Sequence, residues 1–325
     1  MQKVAVIGLG NIATRHRKNL KLLLPGVTVY AMSASGRIPE EMVSDCDVLV
    51  ASVAELIFEQ IDMVIVASPA PFHCRHAIPL IEAGVPVLIE KPVTTALQDA
   101  ELIQEAAKKY MTPVAVGYCL RYLSSAIEVK RFIECGKLGQ LYHASVEIGQ
   151  YLPDWRPSKD YRDSVSASAH LGGGALLELS HELDYTQWLL GPLTLQHAVL
   201  RTSQELGLEV EDSADILVTA CEGSVVNIHL DFLQRKAYRY CRFVGSSGAL
   251  EWDLIQNEVT FKTKSGANVV YSNPGWDKNQ MYLNMLKDFI LMIDRKENQS
   301  VSVDEAKKTV SLIEKIKSSS SRFYH

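Results

Sequence analysis

Residues 3–13 read Lys3-Val4-Ala5-Val6-Ile7-Gly8-Leu9-Gly10-Asn11-Ile12-Ala13, and this stretch decides how the rest of the chain is understood. Lys3–Ile7 is a short apolar run rich in β-branched residues, without the polar alternation of a half-exposed strand, so it reads as a strand buried on both faces. The following residues spell G-x-G-x-x-A, and Ile12–Leu24 carries a helical pattern that Pro25-Gly26 stops. A strand that turns through glycines into a helix presents the helix's free N–H groups and its positive dipole end to an anion. Gly8 permits the tight turn, Gly10 lets the backbone approach a pyrophosphate, and Ala13 keeps the helix close to the sheet, with Asn11 and Ile12 supplying the first helical N–H groups. The strand before and the helix after distinguish this motif from a glycine turn of purely structural purpose.

Outward from this motif the pattern repeats. Val27–Met32, Val48–Val50, Met63–Ala67, Pro86–Ile89 and Val114–Val116 read as strands. A short helix begun by Ser52, a helix over Pro71–Ala83 and another over Ala96–Tyr110 separate them. Thr95 and Gln98 have the spacing of a capping box for the last of these helices. The alternation gives an α/β fold with an N-terminal Rossmann domain, a doubly wound parallel sheet over residues 1–120. The second strand ends in Tyr30-Ala31-Met32-Ser33-Ala34-Ser35-Gly36-Arg37. An acidic residue there would bind the ribose hydroxyls of NAD. Its absence, with Ser33, Ser35 and Arg37 able to hold a 2′-phosphate, favours NADP over NAD.

Beyond residue 140 the pattern changes. Leu141–Leu152, Leu193–Arg201, Ala214–Cys221, Val225–Phe232, Tyr238–Val244, Ala249–Trp252 and Val259–Thr263 read as consecutive strands, several joined by tight turns such as Gly245-Ser246-Ser247-Gly248. Hairpins of this kind predict a large, mostly antiparallel sheet. Helices are expected near Ser124–Cys135, Leu176–Leu190, Gln280–Arg295 and Asp304–Ser318. Residues 121–325 are therefore read as a C-terminal α+β domain, the half that holds the substrate.

Of the 325 residues, 47% are hydrophobic and 22% charged, and the net charge is −5, so no basic surface points to nucleic acid or an anionic membrane. No apolar run approaches the ~20 residues that span a bilayer, and MQKVAVIGLG runs into its glycine turn too soon to read as a secretion signal. The six cysteines are scattered, which reads as reduced thiols of a cytoplasmic protein. No histidine, cysteine or carboxylate spacing suggests a metal.

Further motifs make a resemblance specific. These are Val66-Ala67-Ser68-Pro69 with His73, then Ala83-Gly84-Val85-Pro86-Val87-Leu88-Ile89-Glu90-Lys91-Pro92, then Gly117-Tyr118-x-x-Arg121-Tyr122, the Gly172-Gly173-Gly174 turn, and Ser302–Ala306 at the start of the last helix. With these motifs the chain resembles the Gfo/Idh/MocA oxidoreductases along essentially its whole length. The resemblance implies an NAD(P)-dependent enzyme moving hydride between nicotinamide and a hydroxyl or keto carbon of a sugar, nucleotide-sugar or related polyol. It also implies a homo-oligomer, dimer or tetramer, formed through the C-terminal sheet. Ser68, Pro69, His73 and Glu90 would then lie along the cofactor, and Lys91 beside nicotinamide and substrate. Trp155 and Arg156 belong to a loop that relatives fold over the cofactor, and Arg121, Tyr122, Tyr161, Glu178, His181 and Asp184 are substrate candidates, Asp184 as an anchor.

Hydride transfer at a carbinol carbon needs a group that moves the hydroxyl proton and one that stabilises the oxygen. Lys91, just past a parallel strand's carboxyl end, suits both. His181 is the second proton-transfer candidate. Glu178 and Asp184 stand three residues to either side of it, at helical spacing for sharing a face, and a neighbouring carboxylate could fix the imidazole tautomer. The family usually has an aspartate four residues before the histidine. Here that position is Leu177, and Glu178 is the displaced carboxylate. Two other readings fit the same fold, a non-catalytic NADP-sensing regulator and an NAD-assisted glycosidase. Retention of both Lys91 and His181 argues against the regulator.

Overall fold

Four buried residues of β1 (Lys3–Ile7) place it at the middle of a parallel sheet. The structure, a computed structural model, describes residues 1–155, 157 and 160–324. From β1 the chain runs through α1 (Asn11–Leu23), β2 (Thr28–Met32), β3 (Val48–Val50), α2 (Val53–Phe58), β4 (Met63–Val66), α3 (His73–Glu82), β5 (Val87–Ile89), α4 (Leu97–Tyr110) and β6 (Val114–Val116). The six strands lie in the order β3-β2-β1-β4-β5-β6, every pair parallel. The order reverses between β1 and β4, and such a switch point opens a crevice at the strands' carboxyl ends. Gly8 and Ala67, which follow those two strands, stand at this point.

The second unit continues with α5 (Ser124–Glu134), β7 (Leu141–Gly149), α6 (Ala175–Glu178), α7 (His181–Leu190), β8 (Thr194–Thr202), β9 (Ser213–Thr219), β10 (Val225–Asp231), β11 (Tyr238–Gly245), β12 (Gly248–Asp253), β13 (Glu258–Thr263) and β14 (Gly266–Ser272). Then come α8 (Gln280–Ile293), α9 (Val303–Ser319) and β15 (Ser321–Tyr324). The large sheet has nine strands in the order β14-β13-β12-β11-β7-β10-β9-β8-β15. Its pairs are antiparallel apart from β7 with β10 and β8 with β15. The expected α/β fold, a Rossmann sheet followed by a large, mostly antiparallel one, is what the chain adopts.

By its packing the chain divides into Met1–Cys119 with Asn279–Ser311, and Leu120–Lys278 with the residues from Leu312 onward. The first unit thus takes back a late segment. The Val116 N–H donates to the Val301 carbonyl at 2.8 Å, and Val301, Val303, Ala306 and Val310 complete the apolar core around β4, β5 and β6. In the second unit α5, α6 and α7 pack on one sheet face, over buried Val146, Ile228, Cys241, Phe243 and Trp252. The alternate residues, among them His143, Glu147, Asp215, Asn227 and His229, form the polar opposite face.

Some local expectations need correction. Thr95 does not cap α4: its N-cap is Ala96, with no side-chain bond. Capping boxes do form at Ser52 with Glu55 and at Ser302 with Glu305, where each serine hydroxyl accepts the glutamate N–H at 3.2 Å. The helix expected over 176–190 is two helices, broken at Leu179 and Ser180. The edge strands β14 and β15 had no counterpart among the expected strands. β14 is largely exposed and β15 wholly so, hence neither shows the apolar run of a buried strand.

Candidate functional site

The glycine loop is built as the motif requires. Gly8 has φ +121°, and a Cβ there would stand 2.3 Å from the Ala67 carbonyl oxygen, so neither a side chain nor ordinary backbone geometry fits. Its N–H donates to the Met32 carbonyl at 2.8 Å, tying the loop to the end of β2. Gly10 is the N-cap of α1, and a Cβ on it would meet nothing within 4 Å. No side chain caps this helix and its first turn holds no acid. The N–H groups of Asn11, Ile12 and Ala13 are therefore offered to a phosphate, and the loop fits a dinucleotide pyrophosphate.

The end of β2 shows the hydroxyls in place. Ser33 Oγ and Ser35 Oγ are 3.4 Å apart and exposed. Gly36, with φ +78°, turns the chain where a Cβ would press the Ala51 carbonyl at 2.6 Å. Arg37 follows on the surface. Arg75 reaches this loop from α3, donating to the Ala34 carbonyl at 2.7 Å while its guanidinium lies over Phe72. Nothing in the sequence pattern had singled it out.

Ser68, Pro69 and His73 hold the loop after β4. The His73 ring is buried between two segments, with Nε2 2.7 Å from the Ser68 carbonyl and Nδ1 3.1 Å from the Pro92 carbonyl. Burial lowers its pKa, so the neutral ring with Nε2–H donating to Ser68 is the favoured form. Its single N–H thus ties the ring to the Ser68-Pro69 turn, and Nδ1 stands against the Pro92 and Val93 carbonyls without donating to them. The Ser68 hydroxyl also meets His76 Nδ1 at 3.0 Å, and burial pushes His76 down to about 4.

Glu90 and Lys91 leave β5 together, and the Lys91–Pro92 peptide is cis. Lys91 is half-buried, whereas Glu90 is buried and meets Nε2 of His16 at 2.6 Å. The pair is 74 residues apart in sequence, beyond the reach of any local pattern.

In the second unit Arg121 and Asp184, both proposed for substrate, are joined to each other. Nε and Nη2 of Arg121 donate to the two carboxylate oxygens at 2.9 and 2.7 Å, a buried bidentate pair. His181 is the first residue of α7, after the break at Leu179 and Ser180. Glu178 lies before that break, in α6, and its carboxylate accepts from Ser166 Oγ at 3.0 Å. The two residues do not share one helix, so the i, i+3 argument lapses for them but holds for His181 and Asp184. The triple glycine makes room for this arrangement: a Cβ on Gly173 would meet the Val165 carbonyl at 2.5 Å, and one on Gly174 the Glu211 carboxylate at 2.5 Å.

A cavity of about 340 Å³ opens beside these residues, lined by Leu152, Trp155, Asp160, Tyr161, Ser164 and Ser166 among others. Trp155 packs edge-on against Phe232, and the Tyr161 hydroxyl donates to the Leu206 carbonyl at 3.0 Å. Tyr122 is half-buried, and Arg156 lies outside the described residues. The aromatic and polar lining suits a polyhydroxylated ligand.

Comparisons with known proteins agree with the fold. A family model described as an oxidoreductase family with an NAD-binding Rossmann fold matches residues 2–118, and the GFO/IDH/MocA C-terminal domain model matches residues 126–251. Inositol 2-dehydrogenase 1 of Saccharopolyspora erythraea is 27% identical over 268 residues, which cover 79% of this chain and 75% of that protein. Among solved structures, levoglucosan dehydrogenase in complex with NADH superposes with TM-score 0.84 at 19% identity, covering 98% of this chain and 96% of that one. UDP-N-acetylglucosamine 3-dehydrogenase from Acidithiobacillus ferrooxidans does so with TM-score 0.78 at 18% identity, covering 98% and 97%. At such identities the structural likeness speaks for the fold.

Proposed function

The chain belongs to the Gfo/Idh/MocA oxidoreductase family, with its NAD-binding Rossmann fold, and we propose that it is a dehydrogenase or ketoreductase of a sugar, nucleotide-sugar or related polyol. The single observation that carries this reading is the uncapped glycine loop at the β1–β4 switch point, with Lys91 at the carboxyl end of the next strand, β5. A nicotinamide dinucleotide held by the Gly8–Gly10 loop and the uncapped start of α1 would supply or take up the hydride. Lys91 moves the substrate hydroxyl proton and stabilises the oxygen as its charge changes. His181 acts as a second acid or base. Asp184, through its pair with Arg121, holds the first turn of α7 on which His181 stands. Relatives named as inositol and levoglucosan dehydrogenases support a polyhydroxylated substrate, and so does the aromatic and polar cavity around Trp155 and Tyr161.

For the cofactor, NADP preference over NAD is supported by the missing carboxylate at the end of β2 and by Ser33, Ser35 and Arg37, with Arg75 alongside. A dimer or tetramer formed through the polar face of the nine-stranded sheet fits the family habit. Six thiols without a disulfide support a reducing, cytoplasmic setting.

The test is a fluorescence titration with NADPH and with NADH, repeated on Arg37→Ala. Tighter NADPH binding that depends on Arg37 supports the reading in full. NADH binding that ignores Arg37 removes the 2′-phosphate site and leaves the dehydrogenase, and binding of neither cofactor sinks the enzyme.

A further inference from the structure

Glu90 is a carboxylate buried one residue from the amine that Lys91 brings to the reaction. His16, on α1, is wholly buried and sets Nε2 2.6 Å from one Glu90 oxygen. The other oxygen accepts the backbone N–H of Lys91 at 3.1 Å. One carboxylate thus ties α1 to the main chain of Lys91. Room for it comes from Gly117, just beyond β6, because a Cβ there would stand 3.2 Å from the carboxyl carbon and from both oxygens.

The imidazole's other nitrogen settles its form. Nδ1 of His16 is buried and has no hydrogen-bond partner among the described residues. An imidazolium would bury a second N–H with nothing to accept it, whereas the neutral ring with its hydrogen on Nε2 leaves only an idle lone pair. The pair then carries one net negative charge, Glu90's. Burial would raise the Glu90 carboxyl, but His16 and Lys91 outweigh it and hold the carboxyl low.

Other titratable groups of this unit come close. From α3, His73 acts on Glu90 and is kept neutral by burial. From α8, Tyr282 stands edge-on to His16 with Arg15 over its ring, and burial pushes its hydroxyl far up. Cys119, after β6, touches Tyr282 in turn. Neither His73 nor Tyr282 supplies an anion, so the negative charge of this cluster is that of Glu90.

We infer that His16 and Glu90 are a positioning pair for Lys91: His16 holds the ionised carboxylate against the Lys91 backbone N–H, and so fixes where the Lys91 amine is presented. The inference rests on the reading of Lys91 as the proton-moving group.

Hydrogen exchange at the Lys91 backbone amide of the full-length protein reports this hold without any turnover. Glu90→Ala, which removes the acceptor, should speed that exchange roughly tenfold and lower kcat, and Glu90→Gln, whose amide oxygen still accepts the N–H, should restore most of both. His16→Ala should lower kcat, and His16→Gln, which can still donate an N–H to Glu90, should restore most of it. Unchanged Lys91 exchange in folded Glu90→Ala overturns the proposal, as does a His16→Gln variant no better than His16→Ala. Parental turnover by Lys91→Ala, with the Glu90→Ala exchange change still present, would instead remove the proton role of Lys91 and leave the positioning pair standing.

Discussion

At the scale of single residues, what can be read from sequence is what sterics dictate locally. Gly8 was legible because no other residue adopts its backbone angle so close to Ala67. Gly8→Ala should introduce about 1–3 kcal/mol of backbone strain on top of the clash with the Ala67 carbonyl. Isothermal titration should then show lost cofactor affinity in a protein whose circular dichroism is near normal. Lys91→Ala should cut kcat by about 10²–10⁴-fold with cofactor affinity retained, and His181→Ala should behave alike. Full turnover in either variant would release that residue from the chemistry. The partners of these residues were not legible. His16 and Glu90 are 74 positions apart, and nothing in the pattern around either announces the other. Arg75 is similar: on a helix it reads as a solvated charge, and only the fold brings it to Ala34.

Among the elements, strands buried on both faces were the plainest to read and exposed edges the least. β4 is an unbroken apolar run and β14 is mostly exposed residues, so periodicity finds one and misses the other. The break between α6 and α7 was invisible because Leu179 and Ser180 tolerate a helix. The glycine turn before α6, held against Val165, Ser166 and Glu211, fixes instead where that helix begins. Helix ends with a local mechanism were easier: Ser52→Ala should cost about 1 kcal/mol, read as a lower denaturant midpoint. The open face of the nine-stranded sheet offers a sharper test. His229 of β10 is clasped by Asp215 of β9 at 2.7 Å and by Asp231 at 2.9 Å, and these bonds raise it to about 10. A histidine raised on folding stabilises the fold fully below its unfolded value of about 6.5 and loses that contribution as pH climbs through its folded value. The Tm gap between parent and His229→Gln should accordingly be widest in mild acid and close near pH 10. A gap independent of pH would mean that the clasp contributes nothing through charge.

For the whole molecule, the two units respond to pH in opposite senses. In the first, burial holds His76 at about 4, with His73 lowered as well. A histidine lowered on folding leaves the fold unpenalised above about pH 6.5 and weakens it as pH falls toward the folded value. This unit should therefore loosen between pH 6.5 and 4, as the second loses its His229 contribution on the alkaline side. Hydrogen exchange followed by unit should show amides of β4 and β5 opening first in acid. If His76→Gln leaves that acid limb unchanged, the assignment fails. The doubly wound sheet was legible in outline because strand–helix alternation is a chain-wide pattern, but its full membership was not. Residues 279–311 complete the first unit's core, and no pattern in the first 119 residues shows that they lack it. That return has a consequence in time. On a ribosome adding about 5–20 residues each second, the roughly 190 residues between Cys119 and Ser311 take about 10–40 s to emerge. For that interval the nascent nucleotide-binding sheet waits with part of its hydrophobic seam open to water, a window in which a chaperone would find its client.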